Sequence, residues 1–251
     1  MPKVCFLGKI FPSAYQLSIS LPTVRWRSPD LGLTWQFDIK IENNAVTINC
    51  DINRYSGSDF VLTYMRALDA VKAAVNLAAF AYGIGYSVLI DTFIDPAGRQ
   101  SPIAPEDKSL PALCTVLDRT SSSDYGEVFK LVYTEPALFQ ALDDLIVSIT
   151  VPHLSVVNCT RAIEGIRHMI APGKKTGPAW AKMRLALRIS ESYLRMLTDH
   201  SRGPRHGDRT HIKGDITMEI VKRSWVIMNR FLEYRKRGNQ PLPESGFPTL
   251  A

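Results

Sequence analysis

Trp35-Gln36-Phe37-Asp38-Ile39-Lys40-Ile41 and Val46-Thr47-Ile48-Asn49-Cys50-Asp51-Ile52 alternate apolar and polar residues at every step, with Glu42-Asn43-Asn44 between them. A period of two is that of a strand with one buried face, and the short polar joint makes the pair a hairpin. On the N-terminal side, Val4 to Phe11 and Tyr15 to Leu21 read as further strands, punctuated by Pro12 and Pro22. From Ser58 the period changes. Leu62, Met65, Leu68, Val71, Val75 and Ala79 follow helical spacing, Ser58 or Asp59 can cap the start, and Gly83 and Gly85 stop it. Tyr86 to Ile94 is a buried strand that leads into the turn Asp95-Pro96-Ala97-Gly98. Hairpin, helix and returning strand make a compact α+β unit.

Beyond it, residues 99–111 carry Pro102, Pro105 and Pro111 and read as a linker or surface loop, and 118–124 as a second loop. Helical patterns occupy 135–149, 154–170, 177–199 and 214–237. Gly173 to Gly177 separates the second from the third, and Gly203-Pro204 with Gly207 breaks the third from the fourth. The expected class is therefore α+β: an N-terminal antiparallel β-rich unit with one long helix, then an all-α bundle of four-helix type. The expected boundaries are 1–110, 125–237 and an extended tail over 238–251, which holds three prolines.

At 251 residues, 45% hydrophobic and 22% charged, the composition is that of a folded chain rather than a disordered one. The longest apolar stretch, Phe60 to Tyr86, carries Arg66, Asp69 and Lys72, which fits a core helix and not a membrane span. Cys5, Cys50, Cys114 and Cys159 lie far apart, so neither a zinc site nor a disulfide framework is indicated. No signal peptide is evident, and a cytoplasmic location is expected. Charge is distributed unevenly. Residues 151–251 hold 18 Lys and Arg against 8 Asp and Glu, a balance of +10, whereas the whole chain carries +6. Twelve of those 18 are Arg, whose planar fork suits phosphate. Such a half suits a polyanion partner, or equally a solvated face.

Two glycine patterns carry no nucleotide motif. Gly83-Ile84-Gly85 lacks a third glycine and ends a helix, and Gly173-Lys174-Lys175-Thr176-Gly177 has no strand before it. No cofactor is expected. On the helix expected over 177–199, Arg184, Arg188, Glu191 and Arg195 recur at steps of four, three and four. They form either a seam of ion pairs, Arg188 with Glu191 and Glu191 with Arg195, or the wall of an anion-binding groove.

That stripe runs into Arg195-Met196-Leu197-Thr198-Asp199-His200-Ser201-Arg202-Gly203-Pro204-Arg205-His206-Gly207-Asp208-Arg209-Thr210-His211, which holds four Arg and three of the five His. Arginine donates paired hydrogen bonds to phosphate, and histidine gives or takes a proton near neutral pH. Metal-free RNA cleavage needs both capacities. No Asp/Glu/His cluster with metal spacing accompanies the stretch.

Over roughly 135–237 the chain resembles the HEPN superfamily, helical bundles found among ribonucleases of toxin and antiphage systems. Their signature is Arg, four to six residues, then His, with a polar residue after the Arg. Arg205-His206-Gly207-Asp208-Arg209-Thr210-His211 fits it, and Arg195 with His200 and Arg161 with His168 match the spacing with apolar neighbours. The resemblance implies a metal-independent endoribonuclease in which Arg205 polarises the scissile phosphate and His211 moves the proton. His206 and Arg202 would position the phosphate, with Arg195, His200 and Arg188 as further contacts. It also implies RNA or nucleotide as partner and a homodimer through the helical half. The alternative from the residues alone is a binding module for RNA, nucleotide or an acidic partner, and a third reading is a dimerising scaffold.

Overall fold

The computed structural model describes residues 1–104, 106–117, 122–206 and 212–251. The chain divides into two units, Met1–Ala104 and Pro105–Ala251.

In the first unit, β1 (Lys3–Phe11), β2 (Ile19–Ser20), β3 (Val24–Ser28), β4 (Leu33–Glu42), β5 (Ala45–Ile52), β6 (Ser87–Ile94) and β7 (Gln100–Pro102) form one sheet. Its order is β2-β4-β5-β1-β6-β7, with β3 also pairing β4, and every pairing is antiparallel. The hairpin expected from the alternation is β4–β5. Glu42 faces Ala45 across a turn in which Asn43 and Asn44 both take positive φ, 48° and 68°. Two left-handed residues make the tight turn whose twist matches the strands, and Asn tolerates that region best after Gly. Trp35, Phe37, Ile39 and Ile41 of β4 are buried, as are Val46, Ile48, Cys50 and Ile52 of β5.

Helix α1 (Phe60–Tyr82) covers that face with Ala67, Leu68, Val71 and Val75. Ser56 and Asp59 form a capping box just ahead of it, and Gly83 at φ 64° ends it. The buried Trp35 indole N–H donates to Thr63 Oγ1 at 3.1 Å, so helix and sheet are pinned by a polar contact as well as by packing.

Tyr15–Leu21 is not a full strand: only Ile19–Ser20 pairs, with Ile41 and Lys40. The reason lies in the turn. Asn44 Oδ1 accepts from the Leu17 N–H at 2.6 Å, the Asn44 N–H donates to the Leu17 carbonyl at 3.0 Å, and Asn44 Nδ2 donates to the Tyr15 carbonyl at 3.1 Å. One asparagine takes the backbone groups that a ladder would need. Strand β3 is an addition to the expectation. Trp26 sits directly opposite Trp35, while Arg25 and Arg27 point to the other face.

The second unit is helical: α2 (Ser122–Thr134), α3 (Pro136–Thr150), α4 (Ser155–Ile170), α5 (Thr176–Leu187), α6 (Glu191–Arg205) and α7 (Gly214–Lys236). Long and central, α7 buries Ile220, Val221, Ile227, Met228, Phe231 and Leu232. The helix expected over 177–199 is two helices. Arg188 adopts a left-handed conformation, φ 54° and ψ 60°, Ile189 bridges to Leu250, and the Ser190 hydroxyl caps α6 by accepting from the Tyr193 N–H at 3.1 Å. The expected break at Gly203-Pro204 lies inside α6, which reaches Arg205. A proline this close to a C-terminus forfeits one ladder bond, that to the His200 carbonyl, and is tolerated. The stretch from 99 to 111 is likewise more than a linker, since it contains β7 and leads into Leu110, buried in the helical core. Asn229 of α7 then fixes the backbone just past Leu110, accepting from the Thr115 and Val116 N–H groups at 2.8 and 2.9 Å.

The tail over 238–251 folds back on the helices. Leu242 is buried and its N–H donates to the Ala186 carbonyl at 3.0 Å. The Ser190 N–H donates to the Leu250 carbonyl at 2.8 Å, and the Leu250 N–H to the Arg188 carbonyl at 3.0 Å. Arg230, only 6% exposed, ties the two together: Nη1 donates to the carbonyls of Leu187 and Arg188 at 2.9 and 2.8 Å, and Nη2 to that of Pro248 at 2.7 Å. Burial lowers its pKa, yet a guanidinium keeps its proton in any protein setting.

Each unit holds one buried and one half-buried free cysteine: Cys50 and Cys5 in the first, Cys159 and Cys114 in the second. Burial pushes the Cys50 thiol up to about 12, and raises that of Cys159, which lies against Ser148 and Ser224.

These contacts generate two stability predictions. Arg230→Met orphans the Leu187 and Pro248 carbonyls, whereas that of Arg188 keeps the Leu250 N–H, so at roughly 1–3 kcal/mol per orphaned group chemical denaturation should show a loss of several kcal/mol. Asp144 of α3 is 6% exposed, and burial raises its pKa more than Arg161, 3.5 Å away, lowers it. A carboxyl raised on folding stabilises fully below its unfolded value, and that contribution is lost as pH rises through the folded one. Asp144→Asn should therefore gain stability relative to the wild type at pH 7, with the gain shrinking at acid pH. Equal pH dependence of the two proteins in thermal unfolding would contradict it.

Candidate functional site

Helix α6 positions the residues singled out in the sequence. Tyr193, Leu194, Leu197 and Ser201 are its buried residues, at helical spacing, which leaves Arg195, Asp199 and Arg202 on the solvent side. It packs on α4, where the Thr160 hydroxyl donates to the Leu197 carbonyl at 3.3 Å. At 1.5 Å rise per residue, the 15 residues of α6 span roughly 22 Å. Arg188 lies before its first turn and Arg205 at its last, so these two belong to opposite ends and not to one surface.

The last turn brings Arg202, Arg205 and His206 together, all three exposed. Two basic residues there complement the negative end of the helix dipole. Arg205 Nη1 donates to Glu164 Oε1 of α4 at 2.9 Å. With side chains 38% and 29% exposed, this is a half-solvated pair. Only one nitrogen of the fork is engaged among the described residues, which leaves the rest of the guanidinium for an incoming oxyanion. His211, the other member of the expected pair, lies outside the described residues, as do Gly207 to Thr210.

The remaining candidates are committed elsewhere. Arg195 donates to Glu191 Oε1 through Nη2 at 2.7 Å and Nε at 3.1 Å. Glu191 also meets Arg184 at 3.2 Å, while Arg188 pairs with Glu244 at 3.0 Å. The expected Glu191–Arg195 pair is present. The Arg188–Glu191 pair is replaced, because the left-handed turn at Arg188 takes its side chain off the helical stripe. His200 is half-buried on α6. On α4, Arg161 meets Asp144 at 3.5 Å and His168 is exposed.

Sequence reasoning missed Glu164. Its spacing of three from Arg161 reads as an ion pair within α4, whereas its partner is 41 positions along the chain. It missed Asp144 too, a buried carboxylate that looks like any polar residue of an amphipathic helix. Among the described residues, no group of three or more His, Cys, Asp and Glu is placed to hold a metal ion. Nor, among them, is any helix long and apolar enough to cross a membrane.

Comparison with known families places both units. Residues 4–103 match "Domain of unknown function (DUF8168) N-terminal domain", and residues 125–236 match the C-terminal domain of the same family. The chain belongs to the DUF8168 family. The two DUF8168 segments fall within the two structural units, the sheet with α1 and the helical array. No curated protein matches the chain, and no solved structure does.

Within the DUF8168 C-terminal domain, the Arg205–Glu164 pair can be tested on its own. A half-exposed ion pair contributes on the order of 0–1 kcal/mol. Glu164→Gln should unfold within about 1 kcal/mol of the wild type in denaturant titration. A loss of several kcal/mol would make the pair a structural brace rather than a holder of Arg205.

Proposed function

We propose that this chain acts on RNA through the end of α6, as a metal-independent endoribonuclease of HEPN type, the class the Arg…His resemblance associates with toxin and antiphage systems. One observation carries the reading. Arg205 is anchored by a single carboxylate oxygen of Glu164, with no other partner for its fork among the described residues, and Arg202 and His206 are exposed at the same helix end. A guanidinium held at one edge and open at the other is preorganised for a phosphate, and stabilises the charge that develops during attack. Arg202 adds a second cation and His206 a polar contact for phosphate. In the signature, His211 supplies proton transfer: it helps the 2′-hydroxyl attack, or protonates the departing oxygen. A homodimer through the helical half belongs to the same reading. A second reading, a module that binds RNA or nucleotide without cutting it, is favoured by the Glu164 contact itself, since a carboxylate on Arg205 also suits a purely structural pair.

Cleavage of RNA in the presence of a chelator separates the two. His211→Ala should reduce cleavage by about 100- to 10,000-fold while leaving fold and most RNA affinity intact. Arg205→Ala should reduce both, and binding should weaken steeply with salt as phosphate counterions are released. His200→Ala should cut normally. If His200→Ala abolishes activity and His211→Ala does not, the site moves to Arg195 and His200. If the wild type retains RNA and never cuts it, the binding module is the function.

A further inference from the structure

At the opposite end of α6 lies a depression of about 350 Å³, lined by Ala181, Arg184, Leu185, Arg188, Ile189 and Thr249. Two arginines and three apolar residues line it, most of them on one face of α5. The neighbouring carboxylates are largely exposed: Glu244, from the returning tail, at 84%, and Glu191, which Arg195 also holds, at 54%. The arginines are not, at 30% and 23%, and the Arg188 Nε is buried with no hydrogen-bond acceptor among the described residues.

The backbone adds a separate observation. A helix that ends in the left-handed region ordinarily does so on Gly or Asn, but α5 ends on Arg188 at φ 54°. Strain of this kind persists only where the surroundings over-determine it. Here the Arg188 carbonyl accepts from both Arg230 Nη1 and the Leu250 N–H. Two hydrogen bonds to the backbone thus hold the left-handed corner, and the residue that stands on it is an arginine.

We propose that the depression is a binding site for a phosphate monoester of mononucleotide size. Arg184 and Arg188 take the phosphate, displacing Glu244 and releasing Glu191, and the ester's organic part rests on Ala181, Leu185 and Ile189. Thr249 already accepts from Arg188 Nη2 at 3.3 Å, and its hydroxyl can turn to donate to a phosphate oxygen. Electrostatics favours a dianion, because one doubly charged phosphate then replaces the two monoanions that Arg184 and Arg188 now meet. The site stands apart from the α6 end proposed for RNA, and neither reading requires the other.

Calorimetric titration of the full chain with adenosine monophosphate, and separately with inorganic phosphate, tests the assignment. The nucleotide should bind more tightly than phosphate, since only it uses the apolar wall. Arg188→Gly suits the left-handed backbone, so it should fold at least as well as the wild type yet bind the nucleotide at least about tenfold more weakly. Arg184→Gln should weaken binding similarly, Glu244→Gln should tighten it, and Arg205→Gln should leave it unchanged. The proposal is overturned if the wild type binds no nucleotide at millimolar concentration, or if Arg188→Gly and Arg184→Gln bind like the wild type. Equal affinity for phosphate and nucleotide overturns the ester assignment. Loss of binding in Arg205→Gln removes the site to the other end of α6.

Discussion

A single buried guanidinium closes the helical unit. Two segments distant in sequence end on Arg230: the close of α5 at Leu187 with the turn at Arg188, and the tail at Pro248. Helix C-termini leave carbonyls without partners, and here a side chain of the central helix supplies the missing donors. Arginine alone has the geometry, with two nitrogens aimed along one plane toward separate acceptors. The Phe247 ring lies 5.8 Å from the Arg230 guanidinium and 5.6 Å from that of Arg237, so aromatic and cation seal the same seam. Together with the Leu250 pairing, this joint holds the left-handed turn at Arg188, just ahead of the cap at Ser190 from which α6 runs to Arg205.

The sheet was legible because one face is buried and the other is not, so alternation marks both the strands and their register. The hairpin, α1 and its glycine stop, and the change from strands to helices at the unit boundary were all readable this way. What eluded the sequence has a common cause. Residues 177–199 satisfy one helical wheel, and nothing in Arg188 or Ile189 forbids a helix; the break comes from Leu250, 61 positions beyond, pairing with the strand-like step at Ile189. Tyr15–Leu21 reads as a strand from its composition, but Asn44 occupies backbone groups at Tyr15 and Leu17 that a partner strand would use. The tail read only as extended since its proline-rich composition gives no period, and its order derives from contacts with α5 and α7. Of the candidate site, Arg202, Arg205 and His206 were legible as a cluster; Glu164 was not, because a partner on another helix leaves no spacing to read.

The charge imbalance also looks different once partners are known. Arg161, Arg184, Arg188, Arg195, Arg205, Arg223, Arg235 and Arg237 each meet a carboxylate within 4 Å. Pairing leaves the net excess intact, and with it the long-range attraction for a polyanion. It does restrict which cations can close on a phosphate without first parting from an acid. A basic composition therefore describes the approach of a ligand better than its seat.

The cysteines turn this two-unit architecture into something that can be timed. A thiol reacts as its thiolate, so Cys50 and Cys159, buried and with raised pKa values, are silent toward alkylating reagents while their own unit stays closed. Each unit thus carries an internal clock, and labelling of one thiol without the other dates the opening of the sheet separately from that of the helices.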